Sequence, residues 1–150
     1  MLRELFGSIG TNGSVGDDFI CGFGRNIYPG DNVSINYRCI LIDCNKITIG
    51  DNVLIAPGVQ SNTASRPVEW EERRNPDFPA NPQAYFCKTY AKPVTVGNGC
   101  WIGAGAILLG GVTLGDNVTV AAGAVVTKSF LRRLPHRGIP AGIIKRFEEK

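Results

Sequence analysis

Few residues in this chain are equipped for chemistry. A single histidine, His136, cannot supply the several imidazoles of a histidine zinc site. The five cysteines (Cys21, Cys39, Cys44, Cys87, Cys100) are odd in number and scattered without a C-x-x-C pair. They read as buried apolar filler in a reducing compartment rather than as a disulfide framework. The stretch "SNTASRPVEWEERR" gathers charge, with Arg66 followed by Glu69, Glu71, Glu72, Arg73 and Arg74. A carboxylate there would serve as a proton acceptor if burial raised its pKa; exposed, it would pair with Arg73 or Arg74. From residue 96 to the end, seven Lys or Arg (128, 132, 133, 137, 145, 146, 150) face three acids (116, 148, 149). That excess suits a small anionic ligand. The basic residues lack the interleaved aromatics of a nucleic-acid surface, so no nucleic acid is expected. Gly103-x-Gly105 is not a dinucleotide fingerprint, because Leu108 stands where a third glycine belongs and no helix pattern follows.

The elements that must hold these residues announce themselves by a rhythm. Val96, Ile102, Leu108, Leu114, Val120 and Val126 recur every six residues. Four residues after each come Cys100, Ala106, Val112, Val118, Ala124 and Phe130, mostly small or branched. An even period keeps side chains on one face of an extended chain, whereas a helix would scatter them around its surface. The first half is looser, with Ile9, Val15, Cys21 and Ile27, then Ile35, Leu41, Ile49 and Ile55. A longer period overlies the short one. "GDNV" begins at residues 30 and 50, twenty apart, and "GNGC" at 97 precedes "GDNV" at 115 by eighteen. Gly, Asp and Asn at such corners tolerate positive φ. Repeats of this kind stack parallel strands into a solenoid in which each coil buries its face against the next. A β-sandwich with glycine turns would not keep phase over six hexads.

At 150 residues, 43% apolar and 19% charged with net charge +3, the chain has the size and make-up of one soluble domain spanning 1–150. Neither a targeting signal nor a membrane-length apolar run is visible, which points to the cytoplasm. The rhythm stops over about 61–93, where charges and prolines replace it, and long excursions from a compact repeat are usually functional.

"ITIGDNVLIAPGVQ", "YAKPVTVGNGCWIGAGAILLGGVTLGDNVTVAAGAVVTKS" and "GIPAGIIKR" resemble the hexapeptide-repeat acetyltransferases, most of all the maltose and galactoside O-acetyltransferase branch. The resemblance runs from "LRELFGS" to "IIKRF". It implies an all-β fold, a left-handed parallel β-helix of triangular section with one long inserted loop and a short C-terminal tail from about residue 130. The left hand comes from the family and departs from the usual right-handed crossover. The resemblance further implies homotrimers with the active site between subunits, and acetyl-CoA as donor, with no metal. A γ-type carbonic anhydrase shares the fold, but its zinc needs three histidines. Family members of this branch usually carry a helical segment before "LRELFGS"; this sequence begins almost at the repeat, so the acceptor pocket is expected to be more open, or specific for something larger than a simple sugar.

On the donor side the resemblance points to Trp101, Gly103, Ala104, Ala121, Ala122 and Gly123, small enough for a pantetheine arm to lie against backbone. Thr127, Lys128 and Lys145 would meet the phosphates. On the acceptor side it points to Asn36 and Asp43, while Ser34 and Gly22 stand where sugar transferases carry larger groups. The family's general-base histidine is replaced by Arg66, within Asn62–Thr63–Ala64–Ser65–Arg66–Pro67. Arginine keeps its proton and has no acceptor lone pair. His136 maps to the donor-side tail. Two expectations follow: a direct acetyltransferase acting on a small hydroxyl or amino acceptor, weakened or retargeted, or a trimer that binds CoA or another small ligand without efficient catalysis.

Overall fold

A computed structural model describes residues 2–131, 135–137 and 140–143. After a single turn of helix, α1 (Leu2–Leu5), the chain winds through coils of three short strands each. The first coil holds β1 (Ser14–Val15), β2 (Ile20–Cys21) and β3 (Ile27–Pro29); the second holds β4 (Ser34–Ile35), β5 (Ile40–Ile42) and β6 (Ile47–Ile49). The third begins with β7 (Leu54–Ile55) and β8 (Gln60–Asn62), then breaks away through β9 (Ala64–Ser65), α2 (Trp70–Arg73) and β10 (Tyr90–Ala91), and closes with β11 (Val94–Val96). The fourth holds β12 (Trp101–Ile102), β13 (Ile107–Leu109) and β14 (Thr113–Leu114). Above it lie β15 (Thr119–Val120) and β16 (Val125–Val126), Phe130 bridging to Leu114, and the tail strands β17 (Pro135–Arg137) and β18 (Gly142–Ile143).

The strands sort into three faces. Face A runs β1-β4-β7-β12-β15-β17-β18, face B runs β16-β13-β8-β5-β2, and face C runs β14-β11-β6-β3. Every pairing within them is parallel except the last, β17 with β18. The register carries Ser34 onto Leu54, Leu54 onto Trp101 and Trp101 onto Thr119, so the sequence periods of twenty and eighteen are the coil lengths. This is the parallel β-helix, left-handed in this fold class.

Both hexad series point inward. Val96, Ile102, Leu108, Leu114, Val120 and Val126 are buried, and so are Cys100, Ala106, Val112, Val118 and Ala124. Phe130 packs on this core from its edge. Of the five cysteines, three (Cys39, Cys87, Cys100) are buried as expected; Cys21 is half-buried and Cys44 exposed, because Cys44 falls on the turn between β5 and β6 rather than on a strand.

One corner is built by a ladder. Asp31 Oδ1 accepts the Thr11 N–H, Asp51 Oδ1 the Asp31 N–H (2.8 Å), Asn98 Oδ1 the Asp51 N–H (2.7 Å) and Asp116 Oδ1 the Asn98 N–H (2.7 Å). The residue two after each corner glycine takes the left-handed backbone: Asn32, Asn52, Gly99 and Asn117, at φ 55° to 65°. Gly97 itself is needed for contact, since a Cβ there would lie 2.6 Å from the Gly115 carbonyl carbon. Among the described residues, no helix is long and apolar enough to cross a membrane.

Candidate functional site

The excursion leaves the spiral at the corner between faces B and C. Thr63 is buried there; its hydroxyl donates to the Ile42 carbonyl (2.7 Å) and accepts the Asn45 N–H (3.0 Å). Asn45 Nδ2 in turn donates to the Ala91 carbonyl (2.9 Å), so the outgoing and returning arms are pinned to the coil below. The arms then pair antiparallel, Ala64 with Ala91 and Ser65 with Tyr90. Farther out, Lys88 N–H bonds the Arg73 carbonyl and Asn75 N–H the Phe86 carbonyl.

Arg66 follows directly on β9 and is exposed. Its Nη1 donates to Cys87 Sγ (2.7 Å) and Thr89 Oγ1 (2.9 Å), and its guanidinium lies 5.5 Å from the Tyr85 ring centre. All three partners belong to the returning arm. Nε and Nη2 have no hydrogen-bond partner among the described residues. Arg66 thus ties the two arms together and still presents N–H groups outward.

Glu69, Glu71 and Glu72 are exposed, but among the described residues they make no ion pair with Arg73 or Arg74. Arg73 turns instead to backbone, donating to the Pro67 and Val68 carbonyls (3.1 and 3.0 Å) while lying over the Trp70 ring. The α2 turn carries Arg73 back over these carbonyls, and an exposed glutamate offers no better partner.

Asp43 and Asn36 differ in what they leave available. Asp43 is fully buried, with Oδ1 accepting the Phe23 N–H (2.7 Å) and Oδ2 the Asn26 N–H (3.1 Å). It shapes the turn between β2 and β3, and the absent side chain at Gly22 makes room for it: a Cβ there would meet Asp43 Oδ1 at 3.1 Å. The same carboxylate adds to burial in pushing the Cys21 thiol up. Asn36 is half-buried; its Oδ1 accepts the Tyr37 N–H (2.9 Å), and Nδ2 has no partner among the described residues. Ser34 hydroxyl sits 3.3 Å from that of Ser14.

The corner between faces A and B loses its side chains along the spiral. It carries Tyr37 and Arg38 in the second coil, Pro57 and Gly58 in the third, Ala104 and Gly105 in the fourth, and Ala122 and Gly123 above. Gly123 N–H bonds the Ala104 carbonyl (2.8 Å), which stacks the last two pairs. Ala104, Gly105, Ala122 and Gly123 are exposed, and a Cβ on Gly105 or Gly123 would meet nothing within 4 Å. Gly103 is buried because the backbone N of Ala122 crowds it, and Ala121 is half-buried. Beside this bare shelf Trp101 stands outward on face A, 55% exposed, next to Leu54 at 57%. Thr127 and Lys128 are exposed at the next corner, separated from the shelf by β16. Lys145, Arg132, Arg133 and Arg146 lie outside the described residues, and of His136 and Arg137 only the backbone is described.

The structure therefore brings together the small residues singled out on the donor side and keeps Lys128 a face away. Sequence reasoning missed Cys87, Thr89 and Tyr85 as partners of Arg66, and no spacing in the chain would have found them. It also missed Asn45 and Thr63, whose signal was only their position at the edge of the broken rhythm.

Residues 93–128 match the sequence profile of the bacterial transferase hexapeptide family (six repeats). The whole chain is 33% identical to the galactoside O-acetyltransferase of Escherichia coli K12, covering 68% of that protein. Among solved structures it superposes on a maltose O-acetyltransferase from Clostridium difficile 630 with a TM-score of 0.87 and 42% identity, over 99% of this chain and 73% of that one. A hexapeptide-repeat acetyltransferase of Vibrio cholerae, solved with acetyl coenzyme A, superposes with a TM-score of 0.88 and 35% identity, over 99% and 75% of the two chains. The chain belongs to the hexapeptide-repeat acetyltransferases.

Proposed function

We propose that this protein is an acetyl-CoA-dependent acyltransferase that passes the acetyl group directly to a small hydroxyl or amino acceptor such as a sugar. The observation that carries this reading is the bare shelf of Ala104–Gly105 over Ala122–Gly123 beside exposed Trp101, where a narrow arm can lie against backbone. Binding of acetyl coenzyme A by the Vibrio cholerae relative supports the choice of donor. In this reading Gly103 and Ala121 floor the shelf, Thr127, Lys128 and Lys145 meet the phosphates, and no metal takes part. The acceptor atom attacks the thioester carbon, the C–S bond breaks, the thiolate leaves with its electron pair, and the acceptor's proton passes to that thiolate or to water. Asn36 offers its unused amide N–H groups to the acceptor, and Asp43 acts as a positioning residue through the turn it holds. Arg66 steadies the developing oxyanion or an anionic acceptor group but takes no proton.

The working unit in this reading is a homotrimer. The outer side of face B supports it, for Ile20, Ile40, Ile42, Ile107, Leu109 and Val125 place apolar side chains there on both sides of the polar pair Gln60 and Asn62, a mixed surface suited to self-association. The cytoplasm is the setting we assign, since acetyl-CoA and reduced thiols coexist there.

Calorimetric titration with acetyl-CoA tests the donor site, and transfer to a panel of sugars and amino sugars tests catalysis. Saturable binding with transfer is expected. Ala122→Trp, a change on an exposed corner, should weaken acetyl-CoA by about tenfold or more while leaving the melting temperature unchanged. Unchanged affinity in that variant would remove the shelf assignment. Binding without transfer to any acceptor would favour the second reading, a CoA-binding trimer, which Arg66 supports by having no lone pair to accept a proton.

A further inference from the structure

A nucleophile that loses a proton as it attacks needs a group to receive it, and Arg66 is the wrong kind of residue for that task. It donates only, at any accessible pH. Its Nη1 is committed to Cys87 Sγ and Thr89 Oγ1, while Nε and Nη2 have no partner among the described residues. Whatever approaches the guanidinium meets a fixed positive charge and further N–H donors. The carboxylates of the excursion do not compensate. Glu69, Glu71, Glu72 and Asp77 are exposed, and none is paired with Arg66 among the described residues. Asp43 has both oxygens on backbone N–H groups of the turn before β3. Cys87 is buried, its sulfur already holding an Arg66 N–H.

Resting on the acyltransferase reading, we propose that the acceptor is a primary amine taken as its neutral free base, not an alcohol. A neutral amine attacks with a lone pair it already has, whereas an alcohol is a poor nucleophile until a base draws off its proton. The N–C bond forms, the C–S bond breaks, and the electron pair leaves on the CoA sulfur. The surplus proton on nitrogen passes to that thiolate or to water, so the products are an amide and CoA. Arg66 contributes twice without accepting a proton. Its charge disfavours the ammonium form of an amine brought beside it, and its outward N–H groups stabilise the charge that develops on the carbonyl oxygen. A hydroxyl acceptor gains only the second of these.

The test offers the full-length protein acetyl-CoA with glucosamine and, as a matched alcohol, with glucose. Loss of thioester absorbance follows the rate, and mass spectrometry with hydroxylamine treatment separates stable amide from labile ester. The amine should exceed the alcohol in kcat/KM by about 10² or more, the low end of what general-base assistance supplies. The pH profile of kcat should rise along one limb that lies below the amine's own solution pKa. Arg66→Gln should move that limb upward, and Arg66→Lys, which keeps the charge, should hold it near its original place. Ester formation on glucose within about tenfold of the amine rate would overturn the proposal, as would a limb unmoved in Arg66→Gln. Acetyl-CoA that binds but is transferred to neither acceptor would also overturn it while sparing the donor site. Absence of acetyl-CoA binding would instead remove the acyltransferase reading itself, and this proposal with it.

Discussion

Arg66 can hold the excursion because it is long. Its guanidinium spans from the outgoing arm to two acceptors and a ring on the returning one, twenty-one and twenty-three residues away in sequence. An imidazole is shorter and has at most two N–H groups, so a histidine at this position could not make the same ties. None of this was legible beforehand, because the partners lie in a stretch without period. What the sequence did disclose was the negative half, that an arginine accepts no proton. The cysteines allow a sharper statement. Burial pushes the Cys39 and Cys100 thiols above the ordinary value of 9.0. Below that value the native and unfolded chains both keep these protons, and stability does not depend on them. Above it the unfolded chain gives them up first, so stability falls as pH rises until the native thiols titrate as well. Urea midpoints measured at about pH 8 and about pH 10 should therefore drop, and the drop should shrink in the Cys39→Ala, Cys100→Ala double variant compared with itself at the lower pH. An equal drop in that variant would assign the effect to other groups.

At the scale of the element, the hexads were legible because burial in a coil depends on alternation alone. Ile102 and Val120 point inward for the same reason that their neighbours Trp101 and Thr119 point out. The corners were only half legible. "GDN" marks where the chain turns, yet the labour within it is divided: the glycine admits the next coil, the acid or amide accepts an N–H of the coil before, and the third residue carries positive φ. That division depends on what stacks above, which one coil's sequence does not contain. Arg38 makes the point, since it adopts φ 57° with no glycine or asparagine to announce it. A methyl group at Gly97 would run into the Gly115–Asp116 backbone, which is not free to yield. Gly97→Ala should accordingly cost about 1–3 kcal/mol in chemical denaturation. Gly123→Ala, where the added atom meets open space, should lose only the smaller cost of its backbone conformation.

At the scale of the molecule, coil lengths and the place of the interruption could be read from "GDNV" spacing, while the assignment of faces could not. Face B became two apolar flanks around the polar pair Gln60 and Asn62, and face C a column of Thr48, Thr95 and Thr113, only once the register was known. The same register shows how the excursion is attached. It departs after β8 and returns at β11, strands whose counterparts in the coil below, β5 and β6, are joined by the four residues Asp43–Lys46. Replacing residues 63–93 by a copy of that short turn should leave a folded β-helix, helped by about 1–2 kcal/mol from the shorter closure. Circular dichroism and melting would check the fold, and the acetyl-CoA titration should still saturate while transfer is lost. The spiral thus works like a spindle with a socket at one corner: what is plugged into the socket can change in length and chemistry, and neither the spindle nor the bare shelf on it need be redrawn.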